Sequence, residues 1–178
     1  MSERFFMKYL PEGEESEMIL SYVFSRLHEE KTFSTVYSDG TVRSEEEFIR
    51  DLLRPGSFPF LVFWEGKEAA FCWLNSIEGR SARMHFVFFR SSWGRIISRD
   101  IGRCMLEYLL SLKDEHGFLF DVILGLTPQS NALAWKLSLD CGAVDVGIVP
   151  LGLFDSRIGH SVDARLVAIT RGSLGLEE

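Results

Sequence analysis

Arg90, Arg95, Arg99 and Arg103 stand within fourteen residues of one another, interleaved with Ser91, Ser92, Gly94, Ser98 and Gly102. Guanidinium groups beside small residues suit the binding of an anion such as a phosphate. The cations neutralise it, the small residues admit the backbone, and a helix start there would add unpaired N–H groups and the positive end of its dipole. The same arginines would also serve as an ordinary solvated face. Gly102 falls inside a helical pattern, where glycine costs roughly 1 kcal/mol relative to alanine, so something must approach closely there, ligand or sheet. His85 alternates with Val87 and Phe89 along an apolar run. Its neutral imidazole is the group in this region best suited to accept a proton near pH 7, and a hydrogen-bonded core histidine is the competing reading. Asn131 is either a ligand-binding amide or a local helix-start hydrogen bonder. Phe33, Tyr37 and Trp73 either pack or line an acceptor pocket.

The elements that must position these residues can be read from hydrophobic period. Met84 to Phe89 is a short run rich in Val and aromatics, a buried strand, and from Ile97 to Leu112 the apolar residues keep to one helical face. Arg4 to Leu10 reads as a first strand, followed by a helix with Glu14, Glu15 and Glu17 in its first turn, where the dipole favours them. The run from Lys31 to Arg43 reads as irregular. Ser44 and Glu47 have capping-box spacing and open a second helix, stopped by Pro55-Gly56. Phe60 to Trp64 and Ala69 to Leu74 are strands joined by a hairpin at Glu65-Gly66-Lys67. Phe118 to Leu126 reads as a buried strand. Thr127 as N-cap and Pro128 as first residue then start a helix that Gly142 ends. Two last strands run from Val144 to Leu153 and from Val162 to Thr170. The order is β-α-α-β-β-β-α-β-α-β-β, a mixed α/β domain over residues 1–178 without an internal repeat or linker.

Composition narrows the class. With 178 residues, 46% hydrophobic and 25% charged, the chain has the make-up of a globular protein with a full core. No apolar run approaches the ~20 residues that span a bilayer. Cys72, Cys104 and Cys141 lack metal-ligand spacing and sit in apolar segments, so reduced thiols and a cytoplasmic location are expected, with no metal. A net charge of −7 argues against a nucleic-acid surface.

The element order, with TPQSNALAWKLSLDCGA ahead of two final strands, resembles the GNAT superfamily of N-acyltransferases over nearly the whole chain. The most specific piece is Asn131-x-x-Ala134-x-x-Leu137 followed by Gly142, similar to the family's N-x-x-A-x-x-L-Y-x-x-x-G-F. The resemblance implies a mostly antiparallel sheet of six to seven strands with about four helices, and acyl-CoA bound in a V-shaped opening between the fourth and fifth strands. The family's Q/R-x-x-G-x-G/A signature, which wraps the pyrophosphate, aligns with Ile97-Ser98-Arg99-Asp100-Ile101-Gly102. Asp100 stands there in place of a glycine and would repel the ligand unless Arg99 or Arg103 compensates. Where the family often has a tyrosine that protonates the departing thiolate, this chain has Ser138, and Ala143 replaces the usual Phe.

The resemblance thus implies transfer of an acetyl group from acetyl-CoA to an amine, on a small molecule or a protein. Backbone N–H groups near Phe88 and Phe89 would polarise the carbonyl. Arg90, Arg95, Ser98, Arg99, Ile101, Gly102, Arg103 and Asn131 would hold the cofactor, and His85 would take the amine proton. A homodimer is among the assemblies it allows; nucleic acid and membrane are not expected partners. The alternative is a GNAT-like module that senses CoA or binds protein without turnover. A Rossmann or P-loop nucleotide enzyme fits worse, because both glycine signatures are missing and hairpin strands do not suit an all-parallel sheet.

Overall fold

The computed structural model describes residues 4–176. β1 (Phe5–Tyr9) leads into α1 (Glu14–Glu29), the single-turn α2 (Phe33–Val36) and α3 (Glu45–Leu53). Then come β2 (Phe58–Trp64), β3 (Lys67–Glu78) and β4 (Ser81–Phe88). A 3-10 turn at Arg90–Ser92 precedes α4 (Arg95–Ser111). A small ribbon of β5 (Lys113–Asp114) and β6 (Gly117–Phe118) follows. The chain continues through β7 (Val122–Pro128), α5 (Ala132–Asp140), β8 (Val144–Asp155), β9 (His160–Thr170) and α6 (Arg171–Leu174). Among the described residues no helix is long and apolar enough to cross a membrane.

Seven strands form one sheet in the order β1-β2-β3-β4-β7-β9-β8. The β2–β3 turn has Glu65 at φ 51° and Gly66 at φ 77°, the pair of left-handed residues that a twist-matched two-residue hairpin needs. Among the described residues only β4 and β7 pair in parallel, and only over Ser81–Arg83 with Val122–Leu124. Beyond that point β4 stays paired with β3 as far as Phe88, and β7 stays paired with β9 as far as Pro128. Each strand follows its other neighbour, so the sheet forks.

Side chains alternate across the strands and build a core on each face. On one, Ile101, Met105, Leu109 and Leu110 of α4 pack on Phe60, Val62, Cys72, Val167 and Ile169. On the other, Leu20, Val23 and Leu27 of α1 and Phe48 and Leu52 of α3 cover Leu61, Phe71, Trp73, Val87 and Phe89. On that second face, the β7–β9 sector is left with half-buried Leu124, Leu126, Leu166 and Ala168.

Besides shifts of a few residues at strand ends, such as β3 running on to Glu78 and β4 starting at Ser81, four departures from the sequence reading stand out. The run from Phe118 to Leu126 is two pieces, a ribbon end and β7. Pro128 is the last residue of β7, opposite Ala164, and α5 starts at Ala132 with Asn131 as its N-cap. Strand pairing with β9 carries the chain past the cap signal at Thr127. α4 starts at Arg95, before Ile97, with Gly94 as N-cap and the Ser98 N–H donating to the Gly94 carbonyl at 2.8 Å. The segment expected to be irregular contains α2. The Ser44 cap is present, its Oγ accepting from the Glu47 N–H at 3.2 Å, while Glu47 reaches the Arg43 N–H in place of that of Ser44.

Gly102 lies two turns inside α4, where a Cβ would sit 2.6 Å from the Cys141 Sγ. Close packing of α4 on the end of α5 therefore explains this glycine. Gly102→Ala gains roughly 1 kcal/mol of helix propensity, but the overlap outweighs it, for an expected net loss of about 1–2 kcal/mol in denaturant unfolding. Adding Cys141→Ala should recover most of that loss. A single variant more stable than the wild type would contradict this reading.

Candidate active site

The fork is the candidate site. Strand amides point alternately to the two sides. The Phe89 N–H donates to the Ala69 carbonyl of β3 at 3.0 Å, so the N–H groups of Phe88 and Phe86 point the other way, into the gap facing β7. The Phe88 N–H is thus directed into the gap. Phe89 is not the backbone donor expected: its amide is spent within the sheet, and its ring lies in the core under the Arg26 guanidinium, 3.8 Å away. On the α4 side the gap opens into a narrow apolar cavity of about 30 Å³, lined by Met84, Phe86, Phe88, Leu106, Leu137 and Ser138 among others. The Ser138 hydroxyl donates to the Ala134 carbonyl at 3.2 Å.

The residues expected to hold a pyrophosphate do not converge. Arg90 is committed to the end of α1: its N–H bonds Glu30 Oε2 at 2.8 Å, and its guanidinium caps the Glu30 carbonyl at 2.9 and 3.0 Å. The buried Ser98 hydroxyl donates to the Ser92 carbonyl at 2.8 Å. Ile101 is fully buried in the core. Arg103 bonds Glu107 at 2.8 Å and the Leu174 carbonyl at 2.7 Å. Asn131 Oδ1 caps α5 by accepting from the Ala134 N–H at 3.4 Å, the local role. From Ser98 onward the aligned signature lies within the regular turns of α4, where its amides are already bonded, and of its six residues the Ile97 N–H alone is left unpaired by the helix. That leaves Arg95 and Arg99, both exposed and in surface pairs, with Asp140 at 3.3 Å and Asp100 at 2.9 Å. Such pairs are worth about 0–1 kcal/mol and exchange readily for another anion. Arg99 also supplies the compensation that Asp100 requires. The unpaired N–H groups at the start of α4 are those of Arg95, Ile96 and Ile97, and they follow the end of β4 after one 3-10 turn.

The opposite face carries the titratable groups. The rings of Tyr37, Trp73 and His85 form a stacked column, with centroids 5.6 and 4.7 Å apart and planes within 10° and 6°. His85 Nε2 lies 3.1 Å from Asn75 Oδ1. An amide oxygen only accepts, so the proton sits on Nε2 and Nδ1 carries the lone pair. Burial, and secondarily the Arg83 charge, holds the imidazole down to about 4. Burial and the nearby Asp51 raise the Tyr37 phenol above its ordinary value. Asn75 and Arg83 were missed in the sequence. Arg83 could have been found as the residue two before His85 on the same strand face; Asn75 needs the β3–β4 register.

A seven-stranded sheet forked between its fourth and fifth long strands, with a long helix after the fourth, is the GNAT fold. Two solved structures illustrate it. An acetyltransferase from Salmonella typhimurium that modifies the N-terminal serine of ribosomal protein L7/L12 superposes with a TM-score of 0.74 and 13% identity, covering 95% of this chain and 96% of that one. Spermidine N-acetyltransferase from Vibrio cholerae, in complex with CoA and spermine, gives 0.71 and 15%, covering 97% and 99%. At these identities the likeness is one of fold. No protein-family model and no curated protein sequence matches the chain at a significant level.

A histidine held neutral by burial is charged in the unfolded chain at pH values where the folded chain leaves it neutral. The unfolded state then binds more protons between about 4 and the ordinary 6.5, so stability should fall as pH is lowered through that window. His85→Gln should flatten this part of the stability profile. A His85 C2–H resonance titrating near 6.5 by NMR would contradict the buried assignment.

Proposed function

We propose that the protein is an N-acetyltransferase that moves an acetyl group from acetyl-CoA to an amine. The observation that carries this reading is the fork, which opens beside an apolar cleft on the α4 face and presents unpaired strand amides along its edge, with His85 on the other face of β4. An extended, amide-bearing chain such as a pantetheine arm suits a gap between two half-paired strands. Arg95, Arg99 and the first N–H groups of α4 would hold the phosphates. Acetyl-CoA supplies the thioester; the amine nitrogen attacks its carbonyl carbon, the C–N bond forms, the C–S bond breaks and CoA thiolate departs. The Phe88 N–H stabilises the developing oxyanion. An imidazole near 4 does not remove a proton from a free alkylammonium, whose pKa is about 10. Its role follows attack, when the nitrogen bonded to the carbonyl carbon has become far more acidic. The rate should therefore rise with pH toward the acceptor's own pKa, with no break near 6.5.

The second reading, a CoA-binding module without turnover, draws on Ser138, which is turned to the Ala134 carbonyl and stands where the family often has a tyrosine. The hydrogen bond and stacking of His85 fit a packed histidine as well as a base, and what favours catalysis is that its Nδ1 lone pair is left free among the described residues. The free cysteines suit a cytoplasmic setting. Calorimetry should show binding of acetyl-CoA and CoA but not of a matched adenine nucleotide; no binding of any at millimolar concentration would overturn the assignment. His85→Ala should lower kcat on the order of 100-fold while acetyl-CoA affinity is kept. Unchanged turnover would remove His85 from the chemistry.

A further inference from the structure

We propose that the acceptor is an amine that also carries a carboxylate, with Arg83 as the residue that selects it. This rests on the acyl-transfer reading above and names its substrate class. Arg83 is half-buried, and among the described residues its guanidinium makes no hydrogen bond or ion pair. The more buried Arg26, Arg165 and Arg171 are each paired, with Glu30, Asp145 and Asp121. Burial alone lowers the Arg83 pKa, with no acid nearby to offset it. A half-buried cation without a counter-charge is partly desolvated, and a ligand carboxylate supplies a partner with a charge-assisted, bidentate fit.

Its position agrees. Arg83 is the last β4 residue before the fork, paired with Leu124, and lies on the same strand face as His85 two residues on. Alternate residues on one strand face are roughly 7 Å apart, about the extended length of a dipeptide. An amine delivered to His85 and a carboxylate at Arg83 would thus be separated by one peptide unit. The surrounding face is walled. At the β8–β9 turn, Ser156 donates its N–H and Oγ to the Ser38 carbonyl, at 2.8 and 2.9 Å, joining the hairpin to the loop between α2 and α3. Other charges facing His85 are Asp39, whose carboxylate accepts from the Thr41 N–H and hydroxyl, and Arg54, which pairs with Asp51 at 3.3 Å. A polyamine would leave Arg83 unpartnered and bring further positive charge beside it.

The test compares glycylglycine with glycylglycinamide as acceptors for the full chain. It also follows N-acetylglycylglycine binding through the His85 C2–H resonance. The dipeptide with a free carboxylate should show a kcat/KM higher by roughly tenfold or more. Arg83→Gln should bring the two acceptors together and abolish the resonance shift, while Arg83→Lys keeps part of both; melting temperatures confirm that the variants are folded. Equal use of the two acceptors, preference for the amide or for spermidine, or a preference that survives Arg83→Gln would overturn the proposal. If neither acceptor is acetylated but N-acetylglycylglycine binds in an Arg83-dependent way, the carboxylate site stands and the acyl-transfer reading falls. If neither turnover nor binding occurs, the proposal falls.

Discussion

β4 and β7 share backbone hydrogen bonds over three residues each and then separate, because β3 holds one and β9 holds the other to the end of its length. Backbone N–H and C=O groups in a sheet interior demand partners. A fork leaves a row of them facing a gap, and closing the gap would require breaking pairs on both outer sides. The outer pairings are the antiparallel majority of the sheet, and both cores are packed against them. The opening is thus maintained by the stability of the whole fold.

The fork also decides how the chemistry is divided. Even-numbered residues of β4, Met84, Phe86 and Phe88, line the cleft under α4, and odd-numbered Arg83, His85 and Val87 face the α1–α3 side. A strand has only two faces, so a ligand reaching His85 from the α4 side must pass between the strands. The two faces differ in kind: the cleft is apolar, and the opposite face carries the stacked rings with Asn75 and Arg83. The Arg90 caps on α1 tie the two sides together, since they fix the loop that leads into α4 to the end of α1.

Much of this was legible in the residues. The change of period after Phe89 marks the strand and helix that flank the fork, and the alternation of His85 with Val87 and Phe89 gives its face correctly. Failures came where tertiary partners outbid local signals. Thr127-Pro128 has the chemistry of a helix start, yet pairing with β9 keeps Pro128 in the strand and passes the cap to Asn131. The four arginines read as one anion patch, but Arg90 and Arg103 are consumed by carbonyls 60 and 71 residues away in sequence, which no spacing reveals. Gly102 signals close approach, and only the structure identifies the neighbour as Cys141. Arg83 went unnoticed because what distinguishes it, the lack of a partner, is not visible in one dimension.

Amide hydrogen exchange resolved by residue tests the fork most directly. With saturating acetyl-CoA, the Phe86 and Phe88 amides should exchange more slowly, as an extended ligand chain fills the gap beside them. The Phe89 amide, already bonded to Ala69, should change little. Unchanged exchange at Phe86 and Phe88 under conditions where acetyl-CoA is bound would contradict the fork as the ligand site.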